Sequence, residues 1–153
     1  MVKTTGTKVV AIASAGGHWI QLLRLKPAFD SSELVFISTE PSFAETVKGY
    51  RFYTVPDANR WNKMQVLKMA IQVFKIIRRE KPDVVISTGA APGLLGIIAG
   101  KTVGAKTIWI DSIANVEKLS LSGKLASRVA SRTYTQWPHL ANGAILFNGN
   151  VLA

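Results

Sequence analysis

The sequence predicts an α/β fold: a Rossmann-like, doubly wound parallel sheet with helices on both faces. Short continuous runs of apolar and β-branched residues alternate with helix-patterned segments along the chain. This alternation is typical of right-handed β–α–β units, whose parallel strands are buried on both faces. Two glycines follow the first apolar run, at a position where such sheets bind ligands. With 153 residues, the chain is predicted to form one such domain over residues 1–153.

The elements follow from this alternation. Strands are expected at residues 8–14, 33–38, 51–55, 83–87, 106–110, 133–135 and 144–147. Helices are expected between them, at residues 18–26, 42–48, 63–81, 92–103 and 122–131. Pro27 is expected to end the first helix. Ser42, with Glu45 three residues later, is expected to cap the second, and Pro92 suits the first turn of the fourth.

The composition narrows the classes of function. The net charge of +10 either attracts polyanions, such as anionic lipid head groups, diphosphate ligands or nucleic acid, or only keeps the chain soluble. Nucleic acid is not the expected partner, because the sequence carries no recognition-helix, zinc-finger or base-stacking motif. Two histidines and no cysteine argue against a structural zinc site, and no metal or other cofactor is predicted.

The expected location is the cytoplasm. No apolar run reaches the roughly 18 residues that a membrane span requires. The first seven residues lack the apolar core of a signal peptide. Any contact with a membrane is therefore expected to be peripheral.

The turn Ser14-Ala15-Gly16-Gly17-His18 is the first candidate site. Its glycines let a ligand approach the backbone, and the helix start adds unpaired N–H groups and a positive dipole end, which predicts a phosphate or diphosphate site. His18 is a candidate general base or diphosphate ligand, or a histidine that only donates a hydrogen bond. The G-x-G-x-x-G fingerprint of dinucleotide-binding domains is missing. Glu40 follows the second strand, where such domains place a ribose-binding acid, so a nucleotide-binding domain remains an alternative.

Polar residues follow most of the predicted strands, and these strand ends share the ligand-binding edge of a doubly wound sheet. They lie at residues 14–18, 38–40, 57–60, 87–89, 111–115 and 136–139. Segment 110–124 is dense in hydroxyl, amide and charged groups. A helix cap at Ser120 or Ser122 explains part of it. Capping does not require Asp111, Asn115 or Glu117, which predicts a polar ligand, with either carboxylate as a possible base.

The longest predicted helix has one polar stripe and more apolar residues than a crossover helix requires. The stripe consists of Gln65, Lys68, Gln72, Lys75 and Arg79. With Trp61 ahead of the helix and basic residues at its end, the pattern fits a helix that lies on an anionic membrane surface. Trp61, Lys68, Lys75 and Arg79 are the residues predicted to face the membrane. A deeply buried crossover helix or a partner interface would give the same pattern.

Four ordered motifs resemble a known family. They are Ser14-Ala15-Gly16-Gly17-His18 with Gln21-Leu22-Leu23, then Ser87-Thr88-Gly89-Ala90, then Ser112 to Glu117 with Leu119-Ser120-Leu121-Ser122-Gly123-Lys124, and Gln136-Trp137-Pro138. The chain resembles the acceptor-side subunit of the split N-acetylglucosaminyltransferase of asparagine-linked glycan assembly. It is more similar still to the bacterial exopolysaccharide and capsule relatives of the PssD kind. The resemblance spans nearly the whole chain.

The resemblance implies the N-terminal half of a MurG-like GT-B glycosyltransferase. In that architecture the N-terminal domain takes the lipid-linked acceptor and the C-terminal domain binds the UDP-sugar. In the split family the two halves are separate chains. The implied reaction is an inverting transfer to a polyprenyl-diphosphate sugar, carried out with a donor-binding partner chain at the inner face of the cytoplasmic membrane.

The resemblance also implies roles for individual residues. The expected acceptor and diphosphate contacts are Ser14, Gly16, Gly17, Gly89, Ser112 and Asn115. The expected base is His18, with Glu117 as the alternative. The base would take the proton of the acceptor hydroxyl as this hydroxyl attacks the donor sugar.

Two other functions fit the same sequence. The chain could be a non-catalytic recruiter or activator of the donor-binding subunit, or a nucleotide-binding Rossmann domain of another enzyme. The apolar segment 144–147 and the tail Val151–Ala153 are the candidate partner contact, because they would leave an exposed edge unless another subunit covers it. Alternatively, the last strand only completes the sheet.

Overall fold

The computed structural model describes residues 6–152. Residues 1–5, which are part of the segment considered above for a signal peptide, lie outside the described residues. So does Ala153 of the predicted partner contact. Seven strands form one sheet with every neighbouring pair parallel. They are β1 (Lys8–Ala13), β2 (Glu33–Ser38), β3 (Arg51–Thr54), β4 (Val84–Gly89), β5 (Lys106–Ile110), β6 (Arg132–Tyr134) and β7 (Ile145–Leu146). Their spatial order is β3-β2-β1-β4-β5-β6-β7, so strands are added to one side of β1 up to β3 and to its other side from β4 onward.

Helices cover both faces of the sheet. They are α1 (Gly17–Leu25), α2 (Lys63–Glu80), α3 (Ala90–Thr102) and α4 (Leu121–Ala126). Trp19 and Leu22 of α1 pack on one face, in a cluster with alternate residues of β1 and β2. The other residues of these strands pack against α2 and α3. Because both faces are covered, β1 and β2 are continuous apolar runs, and the predicted fold class is confirmed.

The second predicted helix differs in type and in its cap. A 3₁₀ helix spans Pro41–Val47, and its cap is Glu40 rather than Ser42. The Glu40 carboxylate accepts hydrogen bonds from the Ser42 N–H at 3.0 Å and hydroxyl at 2.8 Å. The physical reason is Pro41, which favours the first helical position and so moves the helix start ahead of Ser42. Glu45 pairs instead with Lys48, at 2.7 Å.

Two other helix boundaries also differ from the prediction. α1 ends at Leu25, one residue before the predicted end at residue 26, and Pro27 lies inside a 3₁₀ turn over Lys26–Phe29 that continues the helical path. α4 is shorter than the predicted 122–131 and ends at Ala126. The Ser120 hydroxyl caps it by accepting from the Gly123 N–H at 2.9 Å, which confirms one of the two proposed caps.

A buried carboxylate links β1, β3 and α2 at the edge where β1 starts. The side chain of Glu80 is 2% exposed, accepts a hydrogen bond from the Tyr53 hydroxyl, and pairs with Arg51 and Lys8. Burial by itself raises the pKa of Glu80, but the Tyr53 hydrogen bond and the Arg51 charge outweigh it and hold this pKa below its ordinary value. The network therefore stabilises the fold at the edge opposite to the predicted ligand site.

Candidate functional site

The glycine turn between β1 and α1 opens the start of the helix to solvent. Gly16 has φ +81°, a conformation that L residues with side chains rarely adopt. The N–H groups of Trp19 and Ile20 both reach the Gly16 carbonyl, at 3.1 and 3.3 Å. The N–H groups of Gly17 and His18 precede these donors and have no intrahelical partner. Gly16 and Gly17 are exposed, so this helix terminus can receive an anion.

His18 is held by the end of β4. Its Nδ1 lies 3.1 Å from the carbonyl oxygen of Thr88, and the Thr88 hydroxyl donates back to the His18 carbonyl at 2.6 Å. Because a carbonyl only accepts, Nδ1 carries the hydrogen in this contact. The neutral ring therefore has its free lone pair on Nε2, which can accept a proton.

The backbone under the His18 ring has no room for a side chain. A Cβ atom at Gly89 would lie 2.2 Å from His18 Nδ1. Gly89 has φ +151°, and Ala90, at the start of α3, has φ +66°. A non-glycine residue in this left-handed region costs about 1–2 kcal/mol. The strained turn after β4 thus fixes the position of the His18 ring.

Asp111 organises the loop that follows β5. It is 1% exposed, and its carboxylate accepts from Trp109 Nε1 at 3.0 Å and Asn115 Nδ2 at 3.0 Å. It also accepts from the Ser120 N–H at 3.1 Å and the Ser120 hydroxyl at 2.8 Å. These four hydrogen bonds tie β5, the loop and the start of α4 to one buried carboxylate, so the geometry favours a positioning role for Asp111 over the role of a base.

Gln21 joins α1 to the same loop. Its side chain is buried, donates to the Asp111 carbonyl at 3.1 Å, and accepts from the Ile113 N–H at 3.0 Å. Trp137 Nε1 donates to the Ile113 carbonyl at 2.9 Å. The sequence reasoning gave neither residue a role. Gln21 lies three residues after His18, among leucines of the buried helix face. A buried glutamine needs hydrogen-bond partners, so this position could have indicated its role.

One pocket brings several of the predicted residues together. Its volume is about 650 Å³, and it opens between the carboxyl edge of the sheet and the first turns of α2, α3 and α4. The polar lining residues are His18, Arg60, Ser112, Asn115, Ser120 and Ser122. The apolar lining residues larger than alanine are Val66, Leu94, Leu95, Leu121 and Leu125. Arg60, which belongs to the polar segment 57–60 predicted at this edge, brings a positive charge.

The remaining predicted residues lie around this pocket or away from it. Glu117 is exposed and lines a separate depression with Lys118. Asn115 lines both cavities. Ser14 is half-buried just after β1, and Gly89 lies beneath the His18 ring. The structure therefore brings His18, Ser112 and Asn115 to one cavity and leaves Glu117 outside it.

The excess apolar residues of α2 face solvent. Met69, Val73 and Ile77 form the buried face. On the opposite side Met64 is 64% and Leu67 52% exposed, and Ile71 is also exposed. A fully buried crossover helix is therefore the wrong explanation for these residues. Within residues 6–152, none of the helices has the length and apolar character that crossing a membrane requires.

The residues predicted to face the membrane are exposed. Trp61 is 78% exposed, and the Arg60 guanidinium lies 4.8 Å from the centre of its ring. Lys68, Lys75 and Arg79 are exposed on α2. At 100° per residue they form a cationic stripe next to the apolar stripe of Met64, Leu67 and Ile71.

The C-terminal tail folds back onto the sheet. Both backbone groups of Val151 are bound: Arg24 donates to its carbonyl at 3.1 Å, and the Gln136 side chain accepts from its N–H at 3.0 Å. Gln136 is buried two residues after the end of β6. The tail thus lies against α1 and β6 rather than extending into solvent.

Solved structures similar to this architecture include glycosyltransferases and epimerases. MurG of Acinetobacter baumannii aligns with a TM-score of 0.75 and 16% identity over 93% of this chain and 45% of MurG. A UDP-N-acetylglucosamine 2-epimerase of Rickettsia bellii aligns with a TM-score of 0.73 and 16% identity, over 96% of this chain and 46% of the epimerase. The chain spans a little under half of either protein. At such identities the likeness shows the fold alone, which is the Rossmann-like fold found in GT-B glycosyltransferases.

Sequence comparison defines the family. The human UDP-N-acetylglucosamine transferase subunit ALG14 is 26% identical over 168 residues, covering 86% of this chain and 76% of the human protein. The subunit of the same name from Yarrowia lipolytica is 22% identical, covering 91% of this chain and 77% of that protein. A profile of the family described as "Oligosaccharide biosynthesis protein Alg14 like" matches residues 40–145, well over half of the chain. The chain therefore belongs to the Alg14-like family of oligosaccharide biosynthesis proteins.

Proposed function

We propose that this chain is the acceptor-binding subunit of a two-chain inverting glycosyltransferase that uses a UDP-sugar. The observation that carries the proposal is the shared pocket of His18, Ser112 and Asn115, with Arg60 as its positive charge. The acceptor is a polyprenyl-diphosphate sugar, and its diphosphate binds near Arg60 and the open start of α1. Ser112 and Asn115 supply hydrogen-bonding groups for the acceptor sugar.

His18 is the proposed base. The acceptor hydroxyl oxygen forms a bond to the anomeric carbon of the donor sugar, the bond from that carbon to UDP breaks, and UDP leaves with the electron pair. His18 Nε2 takes the hydroxyl proton. The Thr88 carbonyl favours proton uptake at Nε2, because it holds the hydrogen of the neutral ring on Nδ1 and leaves the lone pair on Nε2. Glu117 is the weaker choice, since it lies outside the pocket.

The donor sugar is supplied by a partner chain. The relatives are named as subunits of a UDP-N-acetylglucosamine transferase, which supports a donor-binding partner for this chain as well. We assign residues 1–153 to the acceptor-binding domain. We place the reaction in polysaccharide assembly of the exopolysaccharide or capsule type, on the basis of the sequence resemblance, and the alternative is a lipid-linked oligosaccharide.

The proposed location is the inner face of the cytoplasmic membrane, with peripheral contact. The apolar and cationic stripes of α2 lie side by side, as they do in helices that lie in a membrane interface. Anionic lipids attract the cationic stripe. Val66 of α2 lines the pocket, so contact through α2 would bring the pocket close to the lipid-linked acceptor.

A non-catalytic recruiter is the second candidate function. It is favoured by the position of His18, whose ring packs on Gly89 and bonds to Thr88 and so has a structural use already. In that case the pocket would bind the acceptor or the partner and supply no chemical group. Replacement of His18 in the assembled enzyme separates the two candidates.

Equilibrium binding to the full chain tests the acceptor role. We expect polyprenyl-diphosphate sugars to bind, UDP-sugars and dinucleotides to bind weakly, and Arg60→Gln to weaken acceptor binding about tenfold through loss of a charge-assisted contact. Arg128→Gln is the matched control, since Arg128 is exposed and does not line the pocket. Tight binding of a dinucleotide with no binding of the acceptor would instead support a nucleotide-binding domain.

A further inference from the structure

The two ends of the pocket differ in chemistry. His18, Ser112 and Asn115 come from the carboxyl edge of the sheet, where α1 begins and the loop after β5 starts. The long apolar side chains come from the helix layer on one face of the sheet, formed by α2, α3 and α4. The pocket therefore runs from a polar end at the strand edge to an apolar wall between helices. We define this apolar wall as Val66, Leu94, Leu95, Leu121 and Leu125.

The apolar wall is open to solvent. Leu121 is 63% and Leu125 43% exposed, although both line a concave surface. They are four residues apart on α4 and so lie on the same helix face. Exposed leucines on a concave wall, next to converging polar groups, are typical of a site for the apolar part of a ligand.

The surroundings of the wall identify the kind of occupant. Arg60 places a positive charge on the pocket, which favours a ligand with an anionic group. An anionic head joined to an apolar chain matches a pocket that has one positive charge and an apolar wall.

We propose that the apolar wall binds the first isoprenoid units of the acceptor, next to its diphosphate. This inference rests on the proposed function and adds to it that the lipid chain itself is recognised by the protein. The alternative is that the chain stays wholly in the bilayer and only the head group touches the protein. Recognition of the lipid chain would select prenyl diphosphates over nucleoside diphosphates of equal charge.

Water-soluble probes can measure this recognition without a membrane. Methyl diphosphate, dimethylallyl diphosphate and geranyl diphosphate share the anionic group and differ in chain length. We expect their dissociation constants for the full chain, measured by titration calorimetry, to fall with chain length. From methyl to geranyl the expected change is about tenfold or more, the effect of burying roughly two methylene groups.

Substitutions in the wall locate the effect. The double variant Leu121→Gln/Leu125→Gln is expected to bind methyl diphosphate as the wild type does and to lose the preference for geranyl diphosphate. Both side chains are exposed, so we expect the fold to persist. Leu121→Met/Leu125→Met is expected to keep the preference. Ile20→Gln is the matched control, because Ile20 is 58% exposed and lies outside the pocket.

Each contrary result has a distinct meaning. Equal binding of all three probes by the wild type, or a preference that survives in the double glutamine variant, overturns this inference and leaves the proposed function standing. Failure of every diphosphate to bind contradicts the proposed function and this inference together. If the double variant keeps the chain-length preference but loses association with the donor-binding chain, the wall is a protein interface and the inference is wrong.

Discussion

His18 and Thr88 hold each other through two hydrogen bonds of opposite direction. The His18 ring contacts the Thr88 carbonyl at 3.1 Å, and the Thr88 hydroxyl donates to the His18 carbonyl at 2.6 Å. The pair joins the turn after β1 to the end of β4. Thr88 lies in β4, and His18 lies in the first turn of α1, which follows the neighbouring strand β1, so the ring has a fixed position at the ligand edge.

Gly89→Ala is expected to displace the His18 ring. The new Cβ would lie 2.2 Å from Nδ1, and the backbone at φ +151° is already unfavourable for alanine. We expect a loss of stability of about 1–3 kcal/mol in urea unfolding, together with a changed imidazole signal of His18 in ¹⁵N NMR. Gly49→Ala is the control, because Gly49 has φ +87° and nothing within 4 Å of its Cβ position. An unchanged His18 signal in Gly89→Ala would contradict this account.

Asp111→Asn is expected to loosen the loop after β5. Asparagine replaces one acceptor oxygen with an NH₂ group that faces donors, so at least one buried contact is lost. Hydrogen bonds to a charged group contribute about 1.5–3 kcal/mol each, and we expect a loss of stability of that size. Asp57→Asn, at an exposed loop position, is the control. Unchanged urea stability with a large loss of turnover would show that Asp111 acts in the chemistry instead.

Glu80 is expected to make the stability of the fold depend on pH in the acidic range. Its pKa in the folded protein lies below the ordinary value, so its contribution is present above the unfolded-state pKa of roughly 4.3. As the pH falls below about 5, the contribution declines, and it is lost once the pH passes through the folded pKa. Unfolding in urea from pH 7 to pH 3 should therefore show a steeper loss for the wild type than for Glu80→Gln. Parallel curves for the two proteins would refute this role.

Removal of the cationic stripe is expected to weaken membrane contact. Each Lys or Arg near an anionic surface contributes about 1 kcal/mol, so Lys68→Gln/Lys75→Gln/Arg79→Gln should lower partitioning onto anionic vesicles roughly 100-fold. The matched control is Lys48→Gln/Lys101→Gln/Lys106→Gln, which removes the same charge from exposed positions outside α2. Equal losses in both triple variants would mean that net charge alone drives binding and that α2 is not the membrane-contacting surface.

The fold was predictable because its strands are nearly continuous apolar runs. β2 and β5 have the predicted bounds, since their apolar stretches begin and end sharply in the sequence. The predicted helix bounds are wrong where a local effect, such as a proline or a turn, overrides the periodic pattern. Pro41 moved a helix start and made Glu40 the cap, and the segment after Ala126 turns instead of continuing as α4.

The candidate site was predictable only in part. His18, Ser112 and Asn115 could be grouped because each follows a strand at the same edge of the sheet. Arg60 was placed at the ligand edge only as one of residues 57–60, because its loop has no periodic pattern that shows which side chain enters a pocket completed by helices from distant segments. The separation of Glu117 from His18 also depends on the path of the loop, which Asp111 and Gln21 set through buried hydrogen bonds.

The most direct test of the central claim is the turnover of His18→Ala in the enzyme assembled with its donor-binding chain. We expect kcat to fall about 10²–10⁴-fold, the usual contribution of a general base, while acceptor binding and partner association stay close to wild type. His139→Ala is the matched control, because this second histidine contacts the Val116 carbonyl and does not line the pocket. Wild-type turnover in His18→Ala would contradict the account and make the chain a recruiter.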